Sequence, residues 1–159
     1  MLKLLDAGFD PFSRRLFEPG HFTASAFVLD ESRERLLTLY HRKLARWLQP
    51  GGHVEPSDPD LLGTARRELR EEVGLTRLSW MAEAPGIFDL DVHPIPAFGR
   101  DPAHAHFDVR FLFVAEEPVT LTSPEGRAIQ WVELDTVPAF LSDASFLRAV
   151  AKVRRILGT

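Results

Sequence analysis

The chain contains no cysteine, which excludes disulfides and thiolate metal sites and fits a reducing cytoplasm. It has no apolar run long enough to span a membrane. Met1-Leu2-Lys3-Leu4-Leu5-Asp6 carries an acid close to its few apolar residues and no long apolar core, so it does not read as a signal peptide. Positive charge is also short. Lys and Arg number 19 against 23 Asp and Glu, a net charge of −4, without the basic stripe of a general nucleic-acid binder. A nucleotide held through a metal stays compatible with that balance. Internal repeats, low-complexity tracts and linkers are absent as well. The expectation is one domain over residues 1–159, with 1–20 as an N-terminal extension, burying about two-thirds of its unfolded surface.

What the chain does have is a group of carboxylates in a well-marked helical frame. Leu61, Leu62, Ala65, Leu69 and Val73 recur at helical spacing and form a stripe for burial. Asp58 suits the N-cap, and Pro59 the first helical position, where its missing N–H costs nothing. Gly74 suits a left-handed C-terminal cap, and Gly51-Gly52 reads as a turn ahead of the helix. Glu68, Glu71 and Glu72 lie three and four residues apart, beside the apolar stripe, and so converge on one patch. Unpaired, Glu68 and Glu72 repel, so neutralising one should cost no stability. A divalent cation turns that repulsion into attraction, and clustered oxygen donors suit Mg²⁺ or Mn²⁺ when substrate phosphates complete the shell. The plain alternative is a solvated acidic helix face.

These residues resemble the signature of the Nudix hydrolases, G-x5-E-x7-R-E-U-x-E-E-x-G-U, in which U is aliphatic. Arg67-Glu68-Leu69-Arg70-Glu71-Glu72-Val73-Gly74-Leu75 fits the second half without mismatch. In the first half, counting from Gly52, Asp58 stands at the Glu position and one extra residue separates it from Arg67. A carboxylate is thereby kept near the helix start, where the dipole favours it. Longer segments at residues 21–25 (His-Phe-Thr-Ala-Ser), 91–96 (Asp-Val-His-Pro-Ile-Pro) and 104–110 (His-x-His-Phe-Asp-x-Arg) are similar to a bacterial subgroup of the family.

The resemblance implies an α/β/α sandwich around a mixed sheet, Mg²⁺ or Mn²⁺ as cofactor, and a phosphorylated, nucleotide-containing small molecule as substrate. The implied reaction is hydrolysis of a nucleoside diphosphate linked to another moiety, by attack of water on phosphorus. It implies Glu71 and Glu72 as metal ligands, Glu68 as ligand or general base, the Gly52 carbonyl as a further ligand, and Arg67 as the residue that orients them. A base or ligand outside the motif is also implied. Glu125, in Glu125-Gly126-Arg127-Ala128-Ile129-Gln130-Trp131, is the candidate; otherwise it is an exposed turn residue. Glu116, Glu117 and Asp108 are the alternatives.

The flanks read as α/β. Strands are expected at 21–29, 35–40, 78–82, 87–92, 106–115 and 128–133, with a loop over 93–104. A last amphipathic helix runs from Ala144 to Leu157, capped by Ser142 or Asp143. This order suggests a mixed sheet covered on both sides. Two strands carry polar stripes at period two: Asp89, Asp91 and His93, then His104, His106, Asp108 and Arg110. Each stripe reads as a solvent-facing sheet surface, as a pocket wall for a phosphorylated ligand, or as a transition-metal site through the histidines. For base stacking the candidates are Tyr40, Trp47, Phe98 and Trp131; for phosphate, Arg14, Arg15, Arg42, Lys43 and Arg110. Two rival functions share the same fold: a non-catalytic nucleotide or metabolite sensor, and an isoprenoid diphosphate isomerase. The intact glutamate set argues against the first and the missing cysteine against the second.

Overall fold

His21 to Leu29 is buried at every position, and this nine-residue strand is the spine of the molecule. A computed structural model describes residues 1–6, 8–41, 45–119, 123, 127–137 and 144–159. In chain order its elements are α1 (Leu2–Leu5), β1 (His21–Leu29), β2 (Arg35–His41), β3 (Arg46–Leu48), β4 (Gly51–His53), α2 (Leu61–Val73), β5 (Leu78–Trp80), β6 (Ile87–Ile95), β7 (His104–Ala115), β8 (Ile129–Glu133) and α3 (Ala144–Leu157). One 3-10 turn follows β8 at Leu134–Thr136.

The strands form one eight-stranded mixed sheet. β1 and β7 run parallel, from His21 opposite His106 to Leu29 opposite Val114. The other pairings are antiparallel. On its second edge β1 is shared between β4, which takes Thr23 to Ser25, and β2, which joins at Leu29 opposite Leu36. Because strand side chains alternate faces, β1 feeds two separate cores. Phe22, Ala24, Ala26 and Val28 pack with Ala65, Leu69 and Val73 of α2. Phe27 and Leu29 pack on the opposite face with Phe146, Val150 and Val153 of α3. Helices on both faces of a mixed sheet make the expected α/β/α sandwich. Each fully buried Leu or Phe is worth about 1.5–3 kcal/mol over its exposed state, so these faces fix the strand register firmly. Among the described residues no helix is long and apolar enough to cross a membrane.

The N-terminal segment packs onto this body. Leu4 is buried in the core under α2, Phe22 N–H donates to the Pro11 carbonyl, and the Phe12 and Phe22 rings lie 5.6 Å apart.

Three local expectations are corrected. Gly51-Gly52 is not a turn; it belongs to β4 and lies opposite Ser25 and Ala24 of β1. A Cβ on Gly51 would stand 2.4 Å from Ser25 Cβ and 2.7 Å from the Ala24 carbonyl oxygen, so close strand approach is what glycine permits. The loop expected over 93–104 is shorter, because β6 runs on to Ile95 and pairs with β7 as far as His104. Finally, α2 begins after Asp60, not Asp58. Asp60 Oδ1 accepts from Gly63 N–H at 2.7 Å. Gly74, at φ 74°, closes the helix with its N–H on the Arg70 carbonyl, a left-handed glycine closure, and Leu75 N–H reaches the Leu69 carbonyl. The proposed caps of α3, Ser142 and Asp143, lie outside the described residues.

Asp58 is free of capping because it is committed elsewhere. Its side chain is 4% exposed and accepts from Arg67 Nε and Nη2, Thr64 Oγ1 and Glu55 N–H at 2.9–3.1 Å. Burial alone would raise its pKa, but these donors, Arg67 first, hold the carboxyl below its ordinary value. Asp60→Ala is therefore expected to cost about 1 kcal/mol, as loss of an N-cap does. Asp58→Ala is expected to cost more, about 3 kcal/mol, because it strips a nearly buried guanidinium of its main partner. Thermal melts of both variants check the order. Equal losses would show that Asp58 does no more than a cap. The Asp58 contribution is complete above about pH 4 and is lost as pH falls through the folded value, so the two melting curves converge in acid.

Candidate active site

On α2 the residues next to the apolar stripe, Arg67, Glu68, Glu71 and Glu72, are held by contacts that divide the like charges. Arg67 is 9% exposed, and its guanidinium is used on every edge. Nε and Nη2 hold Asp58, Nη2 also donates to the His53 carbonyl at 2.8 Å, and Nη1 donates to Glu68 Oε1 at 3.0 Å and Glu71 Oε2 at 2.9 Å. Bonding to Asp58, then to Glu71 and Glu68, raises its already high pKa further. Glu72 is buried; its Oε2 accepts from Gly51 N–H at 2.9 Å and its Oε1 pairs with Arg127 Nη1. Glu68 rests against Gly52, where a Cβ would fall 2.2 Å from Oε1. The repulsion expected between Glu68 and Glu72 is thus offset by the protein's own guanidinium groups. The notion that neutralising either glutamate is free does not hold for Glu72, whose carboxylate is buried and paired with Arg127.

These groups open on a cavity of about 870 Å³. It is lined by Gly51, Gly52, Arg67, Glu68, Glu71 and Glu72, by Thr23, Ser25, His106 and Asp108 of the central strands, and by His53, His93, Arg14 and Arg127. Gly52, Arg67 and the three glutamates therefore share one site. Glu125 lies outside the described residues, although Ser123 Oγ donates to the Glu72 carbonyl and Arg127 pairs with the Glu72 side chain. Of the alternatives, Glu117 anchors a distant loop through Thr76 and Arg77. Asp108 does line the cavity, but it accepts from Thr23 Oγ1 at 3.0 Å, Ser25 Oγ at 2.7 Å and Arg110 Nε at 3.0 Å.

The polar stripes are not a solvent-facing surface. Arg110 is 3% exposed and reaches Asp89, Asp91 and Asp108, while Arg148 of α3 also reaches Asp89 and Asp91. Arg110, a candidate for phosphate, is spent on this buried network. The ends of the stripes turn to the cavity through His93, His106 and Asp108. Tyr40 and Trp47 pack edge to face with each other, Trp131 sits under Arg35, and none of the three lines the cavity. Arg42 and Lys43 lie outside the described residues.

Thr23, Ser25 and His21, with His53 and Arg127, are residues that the motif does not point to; all but His21 line the cavity, and the His21 ring packs on His53 and His106. Period-two spacing through the first half of β1 was the available signal for the first three, since 21, 23 and 25 share a face. His21, His53, His93, His104 and His106 gather their rings at centroid separations of 4.8–5.5 Å. Burial, aided by the neighbouring imidazoles, holds His53 at about 4 and His106 at about 2, so both are neutral at pH 7. Burial also lowers His21, against the opposing bond from its ring to the Leu16 carbonyl.

A NUDIX domain model matches residues 19–151. Among solved structures, the MutT protein from Methanosarcina mazei Go1 is similar at TM-score 0.62 and 22% identity, covering 87% of this chain and 95% of that one. The C. elegans Ap4A hydrolase is similar at TM-score 0.61 and 18% identity, covering 86% and 97%. The E. coli dihydroneopterin triphosphate pyrophosphohydrolase follows at TM-score 0.58 and 15% identity, covering 87% and 96%. Comparison with curated proteins finds no match. These structural likenesses agree with the sandwich. Since the family model spans most of the sequence and the glutamate helix lies within it, the chain belongs to the Nudix hydrolases.

Proposed function

We propose that this Nudix hydrolase is a divalent-cation-dependent pyrophosphohydrolase that cleaves a nucleoside diphosphate linked to a second moiety, with water attacking phosphorus. One observation carries the reading: Glu68, Glu71, Glu72 and the Gly52 backbone converge on a single cavity large enough for a nucleotide-sized ligand. All of these donors are oxygens, which suits Mg²⁺ or Mn²⁺. The cradle at Gly52 admits the Glu68 carboxylate only because residue 52 has no Cβ.

Glu71 and Glu72 would hold the cation, with Glu68 as a further ligand or the general base and the Gly52 carbonyl beside it. When bound, such a cation neutralises phosphate charge and acidifies the attacking water. The rest is done by the chain's own groups. Arg67 is anchored to Asp58 and the His53 carbonyl through Nε and Nη2, which fixes where its remaining Nη1 presents Glu68 and Glu71. Gly51 N–H and Arg127 set the Glu72 carboxylate. Arg14 and Arg127 bring positive charge to the cavity, where phosphate oxygens would meet it. Two of the similar structures are by name an Ap4A hydrolase and a dihydroneopterin triphosphate pyrophosphohydrolase, which supports a phosphorylated small-molecule substrate. For the base outside the motif the reading takes Glu125. Ser123 and Arg127, two residues to either side of it, both contact Glu72.

Turnover on a panel of nucleotides, sugar nucleotides and dinucleoside polyphosphates with Mg²⁺ or Mn²⁺ tests the reading. Glu71, 42% exposed, is the clean probe: Glu71→Gln is expected to melt like wild type and to lose more than about 100-fold in turnover, beyond what loss of an outer partner costs a metal site. Glu72→Gln is expected to lose as much activity with a lower melting temperature. Near-wild-type turnover of both at saturating cation would sink the glutamate site.

Glu125→Gln is expected to lower turnover about 10²- to 10⁴-fold while substrate affinity changes little, as removal of a general base does. A variant within a few-fold of wild type across pH would remove Glu125 from the mechanism and leave Glu68 as the base.

A further inference from the structure

Three of the histidines do more than share a neighbourhood. The parallel register of β1 and β7 sets His21 directly beside His106, and period two puts His104 on the same face. Among the described residues, His21, His104 and His106 are the one group of three metal-ligating side chains whose donor atoms all lie within 4.8 Å of one another.

The hydrogen bonds around them decide which nitrogens are available. His104 Nδ1 donates to the Pro102 carbonyl at 2.8 Å, and His21 Nδ1 to the Leu16 carbonyl at 3.0 Å. A carbonyl accepts only from a protonated nitrogen, so in the neutral form of either ring the lone pair is on Nε2. His21 is fully buried, and its Nε2 has no hydrogen-bond partner among the described residues. His104 Nε2 stands 3.3 Å from His106 Nε2. That is hydrogen-bond distance: in one tautomer His106 Nε2 donates to the His104 lone pair, and with its proton on Nδ1 it turns a second lone pair to the same point, where a cation would replace the proton. Around a tetrahedral ion with Zn–N bonds of about 2.0–2.1 Å, adjacent donors sit about 3.3–3.4 Å apart. Holding the second ring nitrogen of a ligand histidine on a backbone carbonyl is also how metal sites fix tautomer and aim.

We infer that His21, His104 and His106 form a second metal site, specific for a transition-metal dication of the Zn²⁺ class. Three imidazoles without a carboxylate select such an ion over Mg²⁺, whose preference is for oxygen. Three protein ligands leave a fourth position open, as in sites where the ion meets water or a substrate oxygen. His106 lines the cavity shared with the glutamates, so this ion would stand beside the same ligand as the cation on α2. The stripe's own third histidine, His93, is not among the three; its Nδ1 is bound to Asp91 Oδ2 at 3.0 Å. His21 takes that place from the neighbouring strand.

The test needs no substrate, so it stands apart from the hydrolase reading. The full-length protein, stripped with chelator, is titrated with Zn²⁺ or Co²⁺ alone and, separately, with Mg²⁺. Expected are one tightly held Zn²⁺ per chain, a tetrahedral Co²⁺ visible spectrum, and a melting temperature that rises with Zn²⁺ but not with Mg²⁺ at the same concentration. His104→Ala, at a half-buried position, is expected to fold and to weaken Zn²⁺ binding more than about 100-fold, beyond the loss typical of an outer partner. His106→Ala is a second variant with the same expectation, and Glu71→Gln should bind Zn²⁺ like wild type. The site is refuted by failure of the wild type to retain Zn²⁺, or by wild-type affinity in both folded histidine variants. It is equally refuted if Zn²⁺ is lost in Glu71→Gln and kept in the histidine variants, which would assign the ion to the glutamates.

Discussion

Nine successive residue pairs join His21–Leu29 to His106–Val114 in parallel, and both cores and much of the cavity depend on that register. At the Leu29 end the pair is apolar on both faces and is covered by α2 on one side and α3 on the other. Toward the His21 end, the face shared with Phe27 and Leu29 turns polar. Thr23 and Ser25 hold Asp108, Asp108 holds Arg110, and Arg110 reaches Asp89 and Asp91 on β6. A one-residue slip would turn every one of these side chains to the opposite face and bury charge against α2. The network is thus a polar lock on the same register that the two apolar cores favour. Buried charges in it are tolerated because each is paired and hydrogen-bonded.

The strands and helices were largely legible in the sequence because their signals are local. The extent of β1, the stripe Ala65-Leu69-Val73, and the span Ala144–Leu157 are all set by alternation or helical spacing, and the structure reproduces each. What was misread depends on partners distant in sequence. Asp58 followed by proline has every local mark of a cap, yet Arg67, nine residues on, takes its carboxylate, and the helix starts at Asp60 instead. Gly51-Gly52 has the composition of a turn, but the close approach of β1 requires glycine in a strand there. Arg110 looks like a phosphate ligand in its own segment and is consumed by carboxylates on β6. His21 begins the 21–25 segment but shows no metal-ligand spacing of its own, and its pairing with β7 gives it a place among the other histidines.

The cavity therefore has two chemically distinct regions. On α2 the donors are carboxylate oxygens, and Arg67 and Arg127 supply the positive charge that keeps them together. At the head of the central strands the groups are imidazole nitrogens, and burial with the neighbouring rings lowers the pKa of His53 and His106. Hard and borderline cations would sort between these regions by ligand type alone. Neither region needs to exclude the wrong ion by size.

Arg67 shows how the acidic region is preorganised. Its Nε and Nη2 are anchored to Asp58 and to the His53 carbonyl, leaving Nη1 as the shared contact to Glu68 and Glu71. A cation at Glu68 and Glu71 would contend with that Nη1 contact while the rest of the guanidinium stays fixed on Asp58 and the His53 carbonyl. Glu71 is the most exposed of the acids and so the easiest to recruit, whereas Glu72 is already set by Gly51 and Arg127. The His53 carbonyl that anchors Arg67 belongs to the residue whose ring packs against His21 and His106. Position 53 thus contacts both regions, its backbone holding the acidic one and its side chain the histidine one. Displacement of that residue would be felt by both sets of donors together.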